Sequence, residues 1–308
     1  MRAIVVKAFG DPDVLEVAEV PLPEPAAGQV RIKVQAATVN PVDVATRAGG
    51  LAPFLPELDQ YPLGWDVAGT VDALGEGVDD FKTGEAVVGL SDWFGTLAGA
   101  QAEYIVLNAS AVAIAPTGAS AAESATLPLN GLTALQALDL LGLSEGQSLV
   151  VTGAAGAVGG YALQLAARRG LKVYGVAGPE DRDFVTGTGA TFIARTDALT
   201  EAVRAALPEG ADGVLDTAVL GAPALAAVRD GGAYTGVFGP AAPQSERGIR
   251  VDAVSVQSNA DQLAELVFLV ESGALTLRLA RTFGFDEAAE AHARFAKGGT
   301  RGRLVLVP

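Results

Sequence analysis

The sequence predicts an α/β protein in which a β-rich domain is interrupted by a doubly wound parallel-sheet domain. Three observations carry this: short alternating segments fill the first part of the chain, a strand, turn and helix rhythm follows, and the tail returns to the first pattern. With 308 residues and 50% hydrophobic content, the chain can bury a large core and form about two domains.

In the first part, short strand-like runs at residues 3–6, 30–34, 69–73, 85–88 and 102–106 are separated by turn residues, with apolar and polar side chains alternating most clearly at 30–34 and 69–73. The Pro- and Gly-rich pieces at 21–25 and 49–56 read as loops that a β barrel would place at its rim. After about Pro116 the rhythm changes, with strands near Leu149, Lys172, Thr191, Gly213 and Gly232 and helical segments between them. A further strand at 251–256 and a helix at 261–271 end this region. Such βαβ units cross over right-handedly, so a parallel sheet covered by helices on both faces is expected. The tail from Leu277, with a helix at 287–295 and a strand at 304–307, returns to the β-rich domain. The expected domains are therefore 1–116 with 274–308, and 117–273 between them.

Charge and composition exclude several functions. Lys and Arg number 21 against 36 Asp and Glu, a balance that repels nucleic-acid phosphates and anionic lipid surfaces, so neither is expected as a partner. Cysteine is absent and His292 is the only histidine, which removes disulfides, thiolate nucleophiles and most transition-metal sites. No metal is expected. The chain opens directly on an alternating segment with no apolar signal core, so a cytoplasmic location is expected. The uncharged stretch 149–167 has the length of a membrane span, but Thr152, Gln164 and glycines at 153, 156, 159 and 160 fit a strand, a turn and a helix better.

That stretch carries the chemistry. Ser148-Leu-Val-Val-Thr-Gly-Ala-Ala-Gly-Ala-Val-Gly159 sets a glycine turn between a buried strand and a helix read at 161–169. In a Rossmann domain, Gly156 would let the backbone approach a pyrophosphate and Gly159 would let the helix pack on the strand, with amides of the helix start facing the phosphates. Gly153, Ala155, Gly156, Ala157, Val158 and Gly159 are thus cofactor-binding candidates, although Ala154 replaces the first fingerprint glycine and tight turns recruit glycine for purely local reasons. The second strand ends at Gly178 with no acid for a ribose hydroxyl, whereas Arg182 and Arg195 could pair with a 2′-phosphate, which points to NADP(H). Glu180 and Asp181 are the alternative, as partners of the ribose of NADH.

Seven pieces in order resemble the quinone oxidoreductase branch of the medium-chain dehydrogenase/reductase superfamily. They are Asn40-Pro-Val-Asp43, Pro62-Leu-Gly-Trp-Asp-Val-Ala-Gly69, Gly84-Glu-Ala-Val-Val88, Ala102-Glu-Tyr104, Leu127-Pro-Leu-Asn-Gly-Leu-Thr-Ala134, the glycine turn, and Gly298-Gly-Thr-Arg-Gly-Arg-Leu-Val-Leu306. The resemblance implies a GroES-like β-rich domain built from both chain ends, with NADP(H) in the cleft between the domains. It also implies loss of the catalytic metal, because the three ligands of zinc alcohol dehydrogenases fall where this sequence has Asn40, Trp65 and Leu129.

By matching motif, Asn40 and Asp43 would lie beside the nicotinamide and substrate, Leu129 and Thr133 would line the nicotinamide side, and Phe238 and Gly239 would cover its ring. Arg303, in the closing segment, joins the cofactor-binding set. Asn40 and Asp43 can equally cap the turn and helix around Pro41, and Phe238 can be core. Ala45 stands where many relatives have an active-site tyrosine, which leaves Tyr61 as a catalytic candidate or a packing residue. Trp93 and Phe94 are read as an apolar wall for a flat substrate, or as edge packing.

The resulting expectation is an NADPH-dependent reductase of quinones or activated C=C bonds in a small electrophilic substrate. The alternatives are an enoyl-thioester reductase, for which the acidic balance offers no basic mouth, and a non-catalytic NADPH-binding structural or sensor protein. A homodimer through the edge strand 251–256 is expected, since an exposed apolar edge otherwise invites aggregation.

Overall fold

A computed structural model describes all of residues 1–308 and divides them into two compact units, Met1–Leu129 with Gln257–Pro308, and Asn130–Val256.

The first unit is β-rich. Its larger sheet runs in the order Leu279–Gly284, Arg303–Val307, Gln29–Thr38, Asp66–Leu74, Ala86–Leu90, Val112–Ile114, with Tyr104–Asn108 also pairing to Gln29–Thr38. The long Gln29–Thr38 strand is the hub. It holds the C-terminal strand in the register Val305 opposite Thr38, which brings residues from both chain ends to one place. A smaller sheet orders Leu15–Glu19, Arg2–Val6 and Tyr61–Pro62. Inward-facing Val30, Ile32, Val34, Val67, Val71, Val87 and Ile105 form one core, so the alternation of the sequence is the alternation of burial.

The second unit is a six-stranded sheet in the order Thr191–Ala194, Lys172–Ala177, Ser148–Thr152, Ala211–Asp216, Val228–Gly236, Arg250–Ala253, parallel throughout. This is the doubly wound order, third strand outermost and the first and fourth side by side. Ser148–Thr152 is buried at every residue, which is why it reads as a continuous apolar run.

The elements expected from sequence are present, with shifted ends. The helix of the glycine turn begins at Ala157, the edge strand stops at Ala253, and short strands at Leu15–Glu19 and Leu279–Gly284 join the set. The division between units falls later than 116 and earlier than 273 because flanking segments pack on the β-rich unit. The Ala260–Glu271 helix lies against Val112–Ile114, the Thr117 N–H donates to Glu271 at 2.8 Å, and the Leu129 N–H donates to Asp66 at 2.5 Å. No helix is long and apolar enough to cross a membrane.

Candidate active site

In the β-rich unit, a buried polar network surrounds Asn40. The Gln29–Thr38 strand ends two residues before the Pro41–Arg47 helix, with Asn40 as the extended N-cap and Pro41 at the first helical position. Asp43, three residues on, accepts the Asn40 N–H at 2.8 Å and the Gly64 N–H at 2.9 Å. Gly64 has φ +103°, and a Cβ there would lie 2.4 Å from the Gln101 nitrogen, so only glycine lets that amide reach Asp43.

The Asn40 side chain turns away from the helix. Its Nδ2 donates to Asp66 at 2.7 Å and to the Thr38 hydroxyl at 2.9 Å, while its Oδ1 accepts from Arg303. Arg303 also donates to the Val39 carbonyl, and the Thr38 hydroxyl donates to Asp66. Asn40, Asp43, Asp66 and Thr38 are fully buried and Arg303 nearly so.

Two carboxylates share this region with one guanidinium. Burial pushes Asp43 up to about 7 against the pull of its two amide donors, and neighbouring Asp66 adds to the rise. Burial also raises Asp66, opposed by the Thr38 hydroxyl, the Leu129 amide, Arg303 and Asn40. Thr38 and Asp66 were not picked out from sequence. Asp66 lies within the Pro62–Gly69 motif, but no local pattern showed that it would share Asn40 with Arg303.

The other residues expected in this unit have distinct places. The Tyr61 hydroxyl donates to the Pro56 carbonyl at 2.9 Å and accepts the Leu58 N–H at 3.3 Å, closing its own loop, and its ring stacks on Phe9. Trp93 is buried with its indole N–H on the Pro62 carbonyl, whereas Phe94 is 51% exposed. Leu129 contributes its amide to Asp66.

In the parallel-sheet unit, the glycine turn has no room for a side chain at Gly153 or Gly159. A Cβ on Gly159 would sit 2.3 Å from the Gly153 carbonyl oxygen and 2.9 Å from the Ala154 Cα. Gly153 has φ +58°, and its Cβ would meet the Thr217 hydroxyl at 2.8 Å. Gly156 caps the Ala157–Arg168 helix without a side chain, so the first-turn amides, which have no partner inside a helix, face the turn unscreened by one. This backbone cradle, at the carboxyl end of Ser148–Thr152, fits a pyrophosphate.

The same sheet edge gathers the other candidates. Gly178 follows Lys172–Ala177, and Phe238 and Gly239 follow Val228–Gly236, with Phe238 47% exposed. Arg182 lies exposed at the start of the Arg182–Gly187 helix with its guanidinium 4.3 Å from the Phe192 ring centre, and Arg195 lies exposed after Thr191–Ala194. Neither makes an ion pair. Glu180 is exposed, Asp181 is buried, and Thr133 is buried in the Pro128–Leu141 helix.

Asp216 organises this edge and was also missed. Fully buried, it accepts from the Thr152 hydroxyl at 2.6 Å, the Gly221 amide at 2.8 Å and the Tyr234 hydroxyl at 2.9 Å, joining the ends of three strands. Burial, then the Asp216 charge, raises the Tyr234 hydroxyl.

Two family profiles match the chain, an alcohol dehydrogenase GroES-like domain over residues 26–117 and a zinc-binding dehydrogenase over residues 188–306. No group of three or more His, Cys, Asp or Glu side chains is arranged to hold a metal ion. A quinone-oxidoreductase homolog, chloroplastic, of Spinacia oleracea is 39% identical over 197 residues, a match that covers 62% of this chain and spans 59% of that relative's length. An NADPH-dependent alkenal/one oxidoreductase, chloroplastic, of Arabidopsis thaliana is 31% identical over 321 aligned positions, covering 100% of this chain and 80% of the relative. Among solved structures, the quinone oxidoreductase from Coxiella burnetii superposes with a TM-score of 0.87 at 29% identity, covering 100% of this chain and 99% of that one. With both units and their order matched along the full chain, the protein belongs to the quinone oxidoreductase family of the medium-chain dehydrogenase/reductase superfamily.

Proposed function

We propose that the protein is an NADPH-dependent reductase of quinones or of the activated C=C bonds of enones and enals, working without a metal. The observation that carries this is the Gly153–Gly159 backbone cradle in a chain whose full-length relative is named for NADPH and alkenals or enones. Bound there, NADPH supplies a hydride. The amides of Ala157 and Val158 hold the pyrophosphate, and Arg182 and Arg195 hold the 2′-phosphate through charge-assisted hydrogen bonds. The stack of Arg182 on Phe192 already restricts that guanidinium, so less freedom is lost on binding.

Asn40 has both polar atoms committed within the protein, and both Asp43 oxygens accept amides. These residues therefore act by positioning the segments around them, and Arg303 ties the C-terminal strand to the same place. Lacking a ligand set at positions 40, 65 and 129, the protein contributes orientation and water exclusion to the chemistry.

The test follows loss of reduced nicotinamide absorbance with quinones, enals and enoyl thioesters, with and without chelator. Turnover of quinones or enals that survives chelation is expected. Activity restricted to enoyl thioesters, or tight NADPH binding with no turnover on any acceptor, would move the protein to one of the other two classes.

The Arg250–Ala253 strand ends the parallel sheet, and we propose that a second copy pairs along it. Light scattering at micromolar concentration should give a dimer mass, and a monomer mass would refute the pairing.

A further inference from the structure

Both tryptophans of the chain stand in one cluster in the β-rich unit. Trp65 and Trp93 are buried with ring centres 6.0 Å apart and planes 29° from parallel. Phe94 meets both edge-on, at 5.3 Å from Trp65 and 5.6 Å from Trp93. The two indoles are almost wholly out of water, yet half of Phe94 remains in it. An aromatic ring fixed by two others while its remaining face stays wet is poised to meet another flat ring.

The surrounding backbone makes this a rigid platform. Ser91 N–H donates to the Trp65 carbonyl at 2.8 Å and its hydroxyl to the Ala98 carbonyl at 2.6 Å. Ala100 and Gln101 amides donate to the Gly64 and Leu63 carbonyls. A Cβ on Gly99 would lie 2.5 Å from the Leu63 oxygen, so the two segments touch backbone to backbone. Trp65 is also joined through the chain to Asp66, which sets the aromatic wall beside the Asn40 network.

We infer that Phe94, backed by Trp65 and positioned by Trp93, is a specificity wall that selects planar cyclic acceptors, quinones above all, over acyclic enals. The inference rests on the reductase reading and narrows its substrate class. A conjugated ring gains an aromatic pair with Phe94 that an acyclic chain cannot make, a preference of about two- to tenfold in affinity. Trp93 does not touch the substrate, because it is buried and its N–H is held by Pro62.

Because the only two tryptophans lie in this wall, intrinsic fluorescence reports on it directly. The experiment titrates wild type, Phe94→Ala and Phe94→Leu with 1,4-naphthoquinone without cofactor, then measures displacement by trans-2-hexenal and kcat/KM for both compounds with NADPH. Thermal unfolding verifies that the variants are folded. Saturable quenching in wild type is expected, with Kd raised about two- to tenfold by either substitution and little displacement by hexenal. The kcat/KM ratio of naphthoquinone over hexenal should fall by the same factor, through KM. Absence of saturable quenching, an unchanged Kd in both folded variants, or equal losses for both compounds would overturn the inference. Phe94-dependent ring binding with no turnover of any acceptor would instead defeat the reductase reading and leave ring recognition standing.

Discussion

The two candidate regions are built in opposite ways. The Asn40 region is made of side chains, with buried Thr38, Asn40, Asp66 and Arg303 hydrogen-bonded to one another from both ends of the chain. The Gly153–Gly159 turn is made by the absence of side chains, with Gly159 packed so closely on Gly153 and Ala154 that a Cβ would collide with their backbone. The first region is fragile to loss of a partner, since an uncompensated buried charge is costly. The second is fragile to added atoms, since a close-packed backbone contact has nowhere to move. A substitution that damages one region by these routes should leave the other intact.

The largest expected effect is Asp66→Ala, which strands the Thr38 hydroxyl, the Asn40 side-chain amide and the Leu129 N–H together and removes a negative charge near Arg303. Each buried donor left without its acceptor costs about 1–3 kcal/mol, and adding Arg303→Met should recover part of the loss by removing the guanidinium whose charge Asp66 offsets. Denaturant unfolding measures both, and a double variant no more stable than Asp66→Ala would mean that the charges are not coupled.

Next in size is Gly159→Val. Its Cβ would invade the 2.3 Å approach to Gly153, so NADPH affinity should fall at least about a hundredfold, equivalent to ~2.8 kcal/mol. Naphthoquinone quenching of Trp65 and Trp93 without cofactor should stay unchanged, and its loss would break the independence of the two regions.

If Arg182 holds the 2′-phosphate as proposed, through a charge-assisted contact of about 1.5–3 kcal/mol, Arg182→Ala should weaken NADPH roughly tenfold to a hundredfold while sparing NADH. Equal losses for both would make Arg182 a support for the fold, and tighter NADH binding by wild type would hand the ribose to Glu180 or Asp181.

The smallest effect concerns pH. Asp43 is held near 7 in the folded protein against 3.8 in its ordinary state, so the folded state binds this proton more tightly and stability falls as pH rises between those values. His292 is pushed down to about 4 by burial and by Arg47, so its contribution rises with pH between about 4 and 6.5, opposing Asp43. Asp43→Asn should make the fall with pH shallower, leaving the fall that buried Asp66 contributes against the rise from His292, a change of at most ~1.4 kcal/mol or about 2–4 °C in Tm per pH unit. A variant whose Tm profile parallels wild type would show that Asp43 is ionised like a surface carboxylate.

The same contrast explains what the sequence made legible. The glycine turn is contiguous, and Gly153 and Gly159 sit where local geometry demands glycine, so strand, turn and helix were readable together. Asn40 and Asp43 were visible because a capping pair three residues apart is also local. Their partners were not, because Asp66 and Arg303 reach Asn40 only through the register of Gln29–Thr38 with Asp66–Leu74 and Arg303–Val307, which no local pattern encodes. Tyr61, which the sequence left as a catalytic candidate or a packing residue, has its hydroxyl bonded to the Pro56 carbonyl and the Leu58 N–H of its own loop. The domain boundaries shifted for the same reason, since the amphipathic pattern of Ala260–Glu271 shows a helix but not which sheet it covers.

The proposed reaction is delivery of hydride from NADPH to an electrophilic acceptor. Single-turnover reduction of a cyclic enone with NADPH deuterated at C4, each diastereomer in turn, tests it most directly. One diastereomer should place one deuterium on the β-carbon of the saturated ketone for each NADPH consumed, in chelator-treated protein. Product without label from either diastereomer, or no oxidation of NADPH by the cyclic enone or by naphthoquinone, would contradict the account.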